Sequence, residues 1–436
     1  MSRSSGWPRI LTIMGSGETT PTMARAHRSV LERLGPAPVP AVLLDTPYGF
    51  QENAADISAR TVEYFRNTVG TGMTVASLRS ADVDSLTRET SLNRIREARL
   101  AFAGPGSPSY ALRQWSGTEV PRLLAAKLAD GGAVTMASAA ALTLGRFTIP
   151  VYEIYKVGEA PYWLPGLDLL SPLGLPVAVV PHYDNAEGGN HDTRFCYLGE
   201  RRLRVLEAEL PEEAFILGVD GHTALILDLD TGRGSVEGLG TVTVRKNGNG
   251  VVFPAGSSVT IDELVSAARA GGTGAAATAS APAAAAAPAN GFSPEPAPGG
   301  DSRLLRDEVA ALEAVFNASL DECDSQAAVK AILALEETIQ AWAGDTDQTD
   351  ALAVARSTLR GAIVCLGEMA ARGSTDPREA VAPFVDALLA ERERARGARE
   401  WGAADAISAR LLAAGIELHD TADCTTWDLR PAEPVA

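Results

Sequence analysis

Short apolar runs alternate with amphipathic stretches along the first 230 residues of the chain. The runs of strand length cover residues 10–15, 41–45, 100–104, 133–138, 177–182, 215–220 and 224–230. Between them, residues 91–99 and 110–131 place apolar side chains at three- and four-residue spacing, which predicts helices. This alternation indicates an α/β fold in which a mostly parallel sheet has helices on both faces. Residues 234–256 have Gly and Asn turns between alternating residues, which predicts antiparallel hairpins.

A change of composition divides the chain. Residues 271–300 consist almost entirely of Ala, Gly, Pro, Ser and Thr. Such a segment cannot bury a core and is typical of a linker. The pattern beyond it is helical, with several amphipathic stretches and an irregular tail. We therefore predict three parts: an α/β domain over 1–265, an Ala/Pro/Gly-rich linker over 266–302 and a separate α-helical bundle over 303–436.

The charge is uneven along the chain. The net charge is −17 at pH 7, and residues 301–436 contribute 13 Lys and Arg against 25 Asp and Glu. An acidic surface disfavours nucleic acid and anionic membranes. No apolar run reaches the roughly 20 residues that cross a bilayer. The cysteines, Cys196, Cys323, Cys365 and Cys424, show no CxxC spacing, which argues against a disulfide framework and a zinc site. We expect a cytoplasmic protein without a metal or other cofactor.

Polar residues stand where the predicted strands end. The loop GPGSPS follows the strand at 100–104, Ser138 ends the strand at 133–138, His182 ends the strand at 177–182, and Glu153 lies between the last two. Ligands of open parallel sheets bind at these carboxyl ends. A serine hydrolase needs a nucleophile, a base, an acid that orients the base and N–H groups for the oxyanion. The order Ser138, Glu153, His182 is that of hydrolases with a nucleophile elbow.

Each of these residues also has a purely structural interpretation. Ser138 is small enough for a tight packing contact. His182 is compatible with a core histidine whose hydrogen bonds are satisfied. Glu153 is compatible with a half-buried carboxylate held by Lys156. It is their order along an α/β chain that favours catalysis.

About the first 255 residues resemble the cyanophycinase and dipeptidase E family of serine peptidases, which is related to class I glutamine amidotransferases. The segments that carry the resemblance are IMGSGE, FAGPGSPSYAL, MASAAA, PHY, HDTRFCYLGERRLRVLEAEL and GVDGHTALIL followed by GLGTVTVRKNG. The resemblance implies a glutamine amidotransferase-like α/β fold. It also implies Ser138 as the nucleophile, His182 as the base and Glu153 as the acid, with oxyanion N–H groups from Gly106 and Ala139.

The sequence departs from the family at the elbow and in the adjoining loop. At the elbow, where the family usually has Ser-Ala-Gly, Ala140 replaces the glycine, and Ala137 rather than glycine precedes the serine. The loop normally has adjacent glycines, whereas here it has Pro105, which has no N–H. His191, in the Gly-rich segment EGGNHDTR, is a second candidate base. We predict His182, because the end of a buried strand fixes a side chain better than a loop does. Lys156, Arg194 and His191 are the candidates for binding an acidic substrate group.

The C-terminal part carries a second resemblance. Residues 378–430 are similar to the helical end of cysteinyl-tRNA synthetases, and residues 316–335 resemble the start of that helical domain. The chain contains neither His-x-Gly-His nor Lys-Met-Ser-Lys-Ser, so we expect no aminoacylation. The arginines of this part either gather on one face that binds RNA or pair with Glu391, Glu393 and Glu400 on a solvated helix. The second interpretation is favoured for Arg392, Arg394, Arg396 and Arg399.

The leading hypothesis is a serine peptidase or amidase that acts on a small peptide or amide, with an acidic residue beside the scissile bond. The alternative is a catalytically silent α/β scaffold whose helical tail docks a protein partner or tRNA. We expect a protein partner rather than tRNA, and no membrane. A homodimer is compatible with the sequence.

Overall fold

A computed structural model describes residues 6–186, 191–271, 304–321, 324–343, 351–373, 377–421 and 425–430. The chain divides into two units between Arg356 and Ser357. Of the predicted linker, residues 272–302 lie outside the described residues, and so do Cys323 and Cys424. The first residues of the predicted linker, 266–271, instead belong to the helix Ile261–Gly271. Ala267 and Ala268 are buried there, which explains why the helix continues through them.

The first unit contains most of the regular elements. Its strands are β1 (Arg9–Met14), β2 (Ala41–Leu44), β3 (Met73–Ala76), β4 (Leu100–Ala103), β5 (Gly132–Ala137), β6 (Phe147–Thr148), β7 (Leu164–Pro165), β8 (Val177–Val180), β9 (Phe215–Val219), β10 (Thr223–Asp228), β11 (Arg233–Gly238), β12 (Thr241–Lys246), β13 (Asn249–Pro254) and β14 (Ser258–Thr260). Its helices are α1 (Ala24–Leu34), α2 (Ala54–Tyr64), α3 (Ser85–Glu97), α4 (Pro108–Trp115), α5 (Val120–Asp130), α6 (Ser138–Leu142), α7 (Gly199–Ala208), α8 (Ile261–Gly271), α9 (Leu305–Asp321) and α10 (Ser325–Ala341).

Two mixed sheets form the framework of this unit. The first has the order β14-β11-β10-β1-β5-β4-β2-β3, and the second has the order β13-β12-β9-β8-β6-β7. Pairing is parallel from β1 through β5, β4 and β2 to β3, and again from β9 through β8 to β6. The predicted α/β class is confirmed. Of the antiparallel hairpins predicted over 234–256, β12 paired with β13 is present, whereas β11 pairs with β10 and β14.

Burial on both faces explains the long apolar runs of the central strands. In β1, Leu11 and Ile13 belong to one core cluster, whereas Ile10 and Met14 belong to a second cluster on the opposite face. The first cluster includes residues of α3 and α5, and the second includes residues of α1. Alternate side chains of a strand point to opposite faces, so helices cover the sheet on both sides.

The helical stretch predicted over 110–131 is two helices, α4 and α5, with a break at 116–119. Gly117 has a φ of +75°, a conformation that glycine adopts readily. Pro121 lies in the first turn of α5, where the missing N–H of proline costs nothing. The break lets each helix bury its own apolar face.

The second unit includes most of α11 (Ala351–Gly373), followed by α12 (Pro377–Gly397), α13 (Trp401–Ala413), β15 (Ile416–Asp420) and β16 (Thr425–Leu429). The expectation of an irregular tail is wrong, because β15 and β16 pair as an antiparallel hairpin. Apolar and polar side chains alternate along both strands, which lets one face of the hairpin be buried. On that face, Ile416 and Trp427 pack against Val385 and Leu411. None of the helices in the described ranges is long and apolar enough to cross a membrane.

Candidate active site

Ser138 occupies a sharp turn between β5 and α6. Strand β5 ends at Ala137, and Ser138 has a φ of +48°. A serine in the left-handed region costs about 1–3 kcal/mol and persists only where its surroundings hold it. The turn is held by the N–H of Ala140, which donates to the Gly104 carbonyl at 3.1 Å. The Ser138 side chain is therefore presented by a rigid backbone.

His182 lies on a second constrained turn, just beyond β8, with a φ of +47°. The His182 carbonyl accepts a hydrogen bond from the N–H of Cys196 at 3.1 Å. The next residue, Tyr183, donates its N–H to the carbonyl of Val219 at 3.2 Å. Tyr183 packs on Gly218, where a Cβ would lie 2.4 Å from its ring. The chain around His182 is thus fixed on both sides.

The structure brings Ser138 and His182 together. Oγ of Ser138 lies 2.8 Å from Nε2 of His182, which is within the range that proton transfer requires. His191 is exposed, and no hydrogen bond joins it to Ser138 among the described residues. Of the two candidate bases, His182 is the one in contact with the hydroxyl.

Of the two candidate oxyanion residues, Gly106 lines the same cleft as Ser138 and His182. Ala139 follows Ser138 in the chain and is 6% exposed. Gly106 belongs to the loop after β4 and has a φ of +133°. A Cβ at Gly106 would lie 2.1 Å from the Pro47 carbonyl oxygen, so only glycine fits there. Their role as oxyanion donors stays a prediction.

Glu153 begins a π-helical turn, Glu153–Val157, whose Tyr155 and Lys156 line the cleft that contains Ser138 and His182. Its Oε1 accepts a hydrogen bond from Oγ of Ser109 at 2.6 Å. Its Oε2 is buried and has no hydrogen-bond partner among the described residues. Within those residues the carboxylate is therefore joined to Ser109 and not to His182. The role of Glu153 as orienting acid stays a prediction.

A cleft of about 880 Å³ opens over Ser138 and His182. Its described lining contains three cations but no carboxylate; the cations are Arg60, Arg113 and Lys156. The aromatic residues of the lining are Phe50, Tyr110, Tyr152, Tyr155 and Tyr197. Apart from Lys156, these residues were missed by the sequence analysis. For Arg60, Tyr110 and Arg113 the signal was available, because α2 and α4 follow the carboxyl ends of β2 and β4, where ligands bind.

The other predicted substrate-binding residues lie outside the described lining of the cleft. Arg194 is engaged with its neighbour: its Nε lies 2.9 Å from Oδ1 of Asp192. This hydrogen bond holds the pKa of Asp192 well below its usual range. Arg194 and His191 are both exposed. Lys156 does line the cleft, with its Nζ 4.8 Å from the centroid of the Tyr152 ring.

The arginines of α12 are mostly ion-paired. Arg392 lies 2.6 Å from Asp420, Arg396 lies 3.5 Å from the same carboxylate, and Arg394 pairs with Glu391. Asp420 belongs to the hairpin strand β15, which was not expected from the sequence. It therefore replaces Glu393 and Glu400 as the main partner of these side chains.

The class of each unit follows from these elements: the first is an α/β unit with a Ser–His pair at strand ends, and the second is a helical unit closed by a hairpin. Within the second unit, residues 378–427 match the family described as the cysteinyl-tRNA ligase anticodon binding domain. The predicted resemblance of the C-terminal part is confirmed.

Two cysteine–tRNA ligases are similar to part of the chain. A cysteine–tRNA ligase of Pseudarthrobacter chlorophenolicus is 38% identical over 132 residues, which are 28% of this chain and 25% of that ligase. A cysteine–tRNA ligase of Legionella pneumophila (strain Paris) is 54% identical over 43 residues, 10% of this chain and 9% of that ligase. The chain thus spans about a quarter or less of the length of these relatives.

Two solved structures, a peptidase and a putative peptidase E protein, are similar to the N-terminal part of the chain. A crystal structure of a peptidase from an acI-B1 actinobacterium has a TM-score of 0.48 and 20% identity, covering 58% of this chain and 97% of that one. A putative peptidase E protein from Listeria monocytogenes EGD-e has a TM-score of 0.34 and 14% identity, covering 50% of this chain and 94% of that one.

Proposed function

We propose that the first unit is a serine hydrolase that cleaves a small peptide or amide. The observation that carries the proposal is the 2.8 Å contact between Oγ of Ser138 and Nε2 of His182, made by two residues with positive φ in one cleft. Backbone strain of this kind clusters at functional sites. A serine whose hydroxyl meets an imidazole is the arrangement that nucleophilic catalysis requires.

The chemistry follows from this geometry. When Nδ1 carries the ring proton, the Ser138 hydroxyl donates to Nε2 of His182. Attack on the substrate carbonyl forms the Oγ–C bond while Nε2 takes the proton, and the carbonyl oxygen becomes an oxyanion that N–H groups of Gly106 and Ala139 would stabilise. Collapse breaks the C–N bond, and His182 returns its proton to the leaving amine. Water then hydrolyses the acyl-enzyme by the same route.

The charge of the cleft supports an acidic substrate. Arg60, Arg113 and Lys156 line it, and no carboxylate belongs to its described lining, although the whole chain carries a net charge of −17. Arginine forms paired hydrogen bonds with carboxylates. We therefore propose a peptide or amide with a carboxylate near the scissile bond as the substrate class.

A fluorophosphonate probe tests the proposal. Wild-type protein should be labelled, and Ser138→Ala should abolish labelling while the circular dichroism spectrum is unchanged. Ser258→Ala, an exposed serine on β14, is the matched control and should be labelled like the wild type. Folded wild-type protein that is not labelled would refute the proposal.

The alternative is a silent scaffold whose helical unit recruits a partner. The match of residues 378–427 to an anticodon binding domain supports a recruiting role for this unit. The ion pairs of Arg392, Arg394 and Arg396 favour a protein partner over tRNA, because arginines already paired with carboxylates have less charge to offer phosphates. Fluorescence anisotropy with labelled tRNA at low salt checks this, and binding that weakens steeply with added salt would contradict it.

A further inference from the structure

The hydrogen bond between Ser109 and Glu153 is short and charge-assisted. At 2.6 Å, Oγ of Ser109 to Oε1 of Glu153 falls in the range of O–H···O⁻ bonds, which are about twice as strong as neutral ones. It joins two segments that are 44 residues apart in the sequence. The contact therefore fixes the first turn of α4, which directly follows the Gly106 loop, against the π-helical turn that carries Glu153.

The loop is anchored at its other side as well. The N–H of Ser107 donates to the Pro47 carbonyl at 2.8 Å, and Gly106 has no room for a Cβ against the same carbonyl. Oγ of Ser107 lies 3.3 Å from Oγ of Ser109 and accepts from the N–H of Tyr110 at 3.1 Å, which caps α4. Residues 104–109 are thus held between Pro47 and Glu153, with Gly106 inside the held segment.

We propose that Glu153 is a positioning residue that acts through Ser109 on the loop of Gly106, in place of orienting His182. The inference rests on the proposed hydrolase function, in which Gly106 donates to the oxyanion. Oxyanion donors act only when their direction is fixed before the reaction. Loss of the Ser109–Glu153 bond should therefore slow acylation without changing the titration of the base.

The test measures the second-order rate of fluorophosphonate labelling between pH 5 and 9 in the full chain. Ser109→Ala should slow labelling by about 10- to 100-fold, less than the roughly 10²–10³-fold cost of losing a whole oxyanion donor. The midpoint of its pH profile should stay where the wild type has it. Ser109→Thr keeps the hydroxyl and should restore the rate, which separates a specific bond from a general loss of folding.

A double-variant cycle assigns the effect to the pair. If Glu153 acts through Ser109, Glu153→Ala and Ser109→Ala together should label no more slowly than the slower single variant. Ser116→Ala, an exposed serine just after α4, is the matched control and should label at the wild-type rate.

Several outcomes would overturn the inference. One is Ser109→Ala at the wild-type rate, and another is additive losses in the double variant. A third is slow labelling of Glu153→Ala together with a lower midpoint of its pH–rate profile, since that result would show that Glu153 orients His182. Wild-type protein that is not labelled would refute the hydrolase proposal itself. This result can be distinguished from the case in which the wild type is labelled and Ser109→Ala is labelled at the same rate, which would refute only the role of Ser109.

Discussion

Oγ of Ser138 lies 2.8 Å from Nε2 of His182, although the two residues end strands of different sheets. Ser138 follows β5 of the eight-stranded sheet, and His182 follows β8 of the six-stranded sheet. Both have left-handed backbone conformations. Two independent turns must therefore be held in strained geometry for one hydrogen bond to form. This coincidence is the main structural reason to assign chemistry to the pair.

Replacing each histidine in turn should show which of the two acts as the base. His182→Ala should lower the rate of fluorophosphonate labelling by about 10²–10⁴-fold, the usual contribution of a general base. His191→Ala should leave the rate within about twofold of the wild type, because His191 is exposed and lies outside the described lining of the cleft. Equal rates for wild type and His182→Ala would contradict this assignment.

The cations of the cleft should determine substrate choice. Arg113→Met or Lys156→Met should raise KM for an aspartyl anilide by about 3- to 10-fold, as expected for the loss of a partly exposed charged hydrogen bond. Hydrolysis of the alanyl anilide should be unaffected. Arg194→Met is the control, because Arg194 lies outside the described lining of the cleft and is bound to Asp192. Equal effects of Arg113→Met on both substrates would exclude recognition of the acidic group by Arg113.

The ends of β5 and β8 could be predicted from the sequence for a definite physical reason. A strand buried on both faces is a continuous apolar run, so the first polar residues at its end, Ser138 and His182, are conspicuous. The separation into two sheets was not predictable, because pairing is a long-range property. Strand β5 pairs with β1 and β4, whereas β8 pairs with β6 and β9.

Contacts between side chains that are distant in the sequence could not be predicted either. The partner of Glu153 is Ser109, which stands 44 residues earlier, and nothing in the local pattern selects it over Lys156. Asp420 is a partner of Arg392 that the sequence does not predict, because the pattern predicts an irregular tail where the structure has a hairpin. Its alternation of apolar residues is visible in the sequence, but two strands of five residues give a weak signal.

A substitution at Gly106 should disable the loop. Gly106→Ala places a Cβ 2.1 Å from the Pro47 carbonyl oxygen in a backbone of φ +133°, so the loop must move. Because a displacement of about 1 Å can cost about 10²-fold in rate, we expect labelling to fall by at least that factor. Gly117→Ala is the control, since its φ is also positive but nothing lies within 4 Å of its Cβ position. A Gly106→Ala protein that labels at the wild-type rate would exclude a role for this loop.

Arg245 joins β12 to α7 through a buried ion-pair network. The Arg245 side chain is 6% exposed, and its guanidinium lies 2.8 Å from Glu200 and 3.0 Å from Glu207. Removing one partner of a buried ion pair leaves an uncompensated charge and costs about 3–5 kcal/mol. Arg245→Met should therefore lower the opening free energy of the β12 amides, measured by hydrogen exchange, by about that amount. Arg204→Met should cost under about 1 kcal/mol, because the Arg204 side chain is 67% exposed although it binds the same Glu200.

The same network makes stability depend on pH in a predictable direction. Hydrogen bonding from Arg245 lowers the pKa of Glu200 to about 2 from an ordinary value of 4.5. A carboxyl whose folded pKa is depressed stabilises the fold fully above its unfolded pKa, and the stabilisation is lost as the pH falls towards the folded pKa. The β12 amides of the wild type should thus exchange more readily relative to their unstructured reference rates as the pH falls from about 4.5 towards 2. In Arg245→Met this dependence should be much smaller, and an equally steep dependence in that variant would show that Glu200 owes its low pKa to other groups.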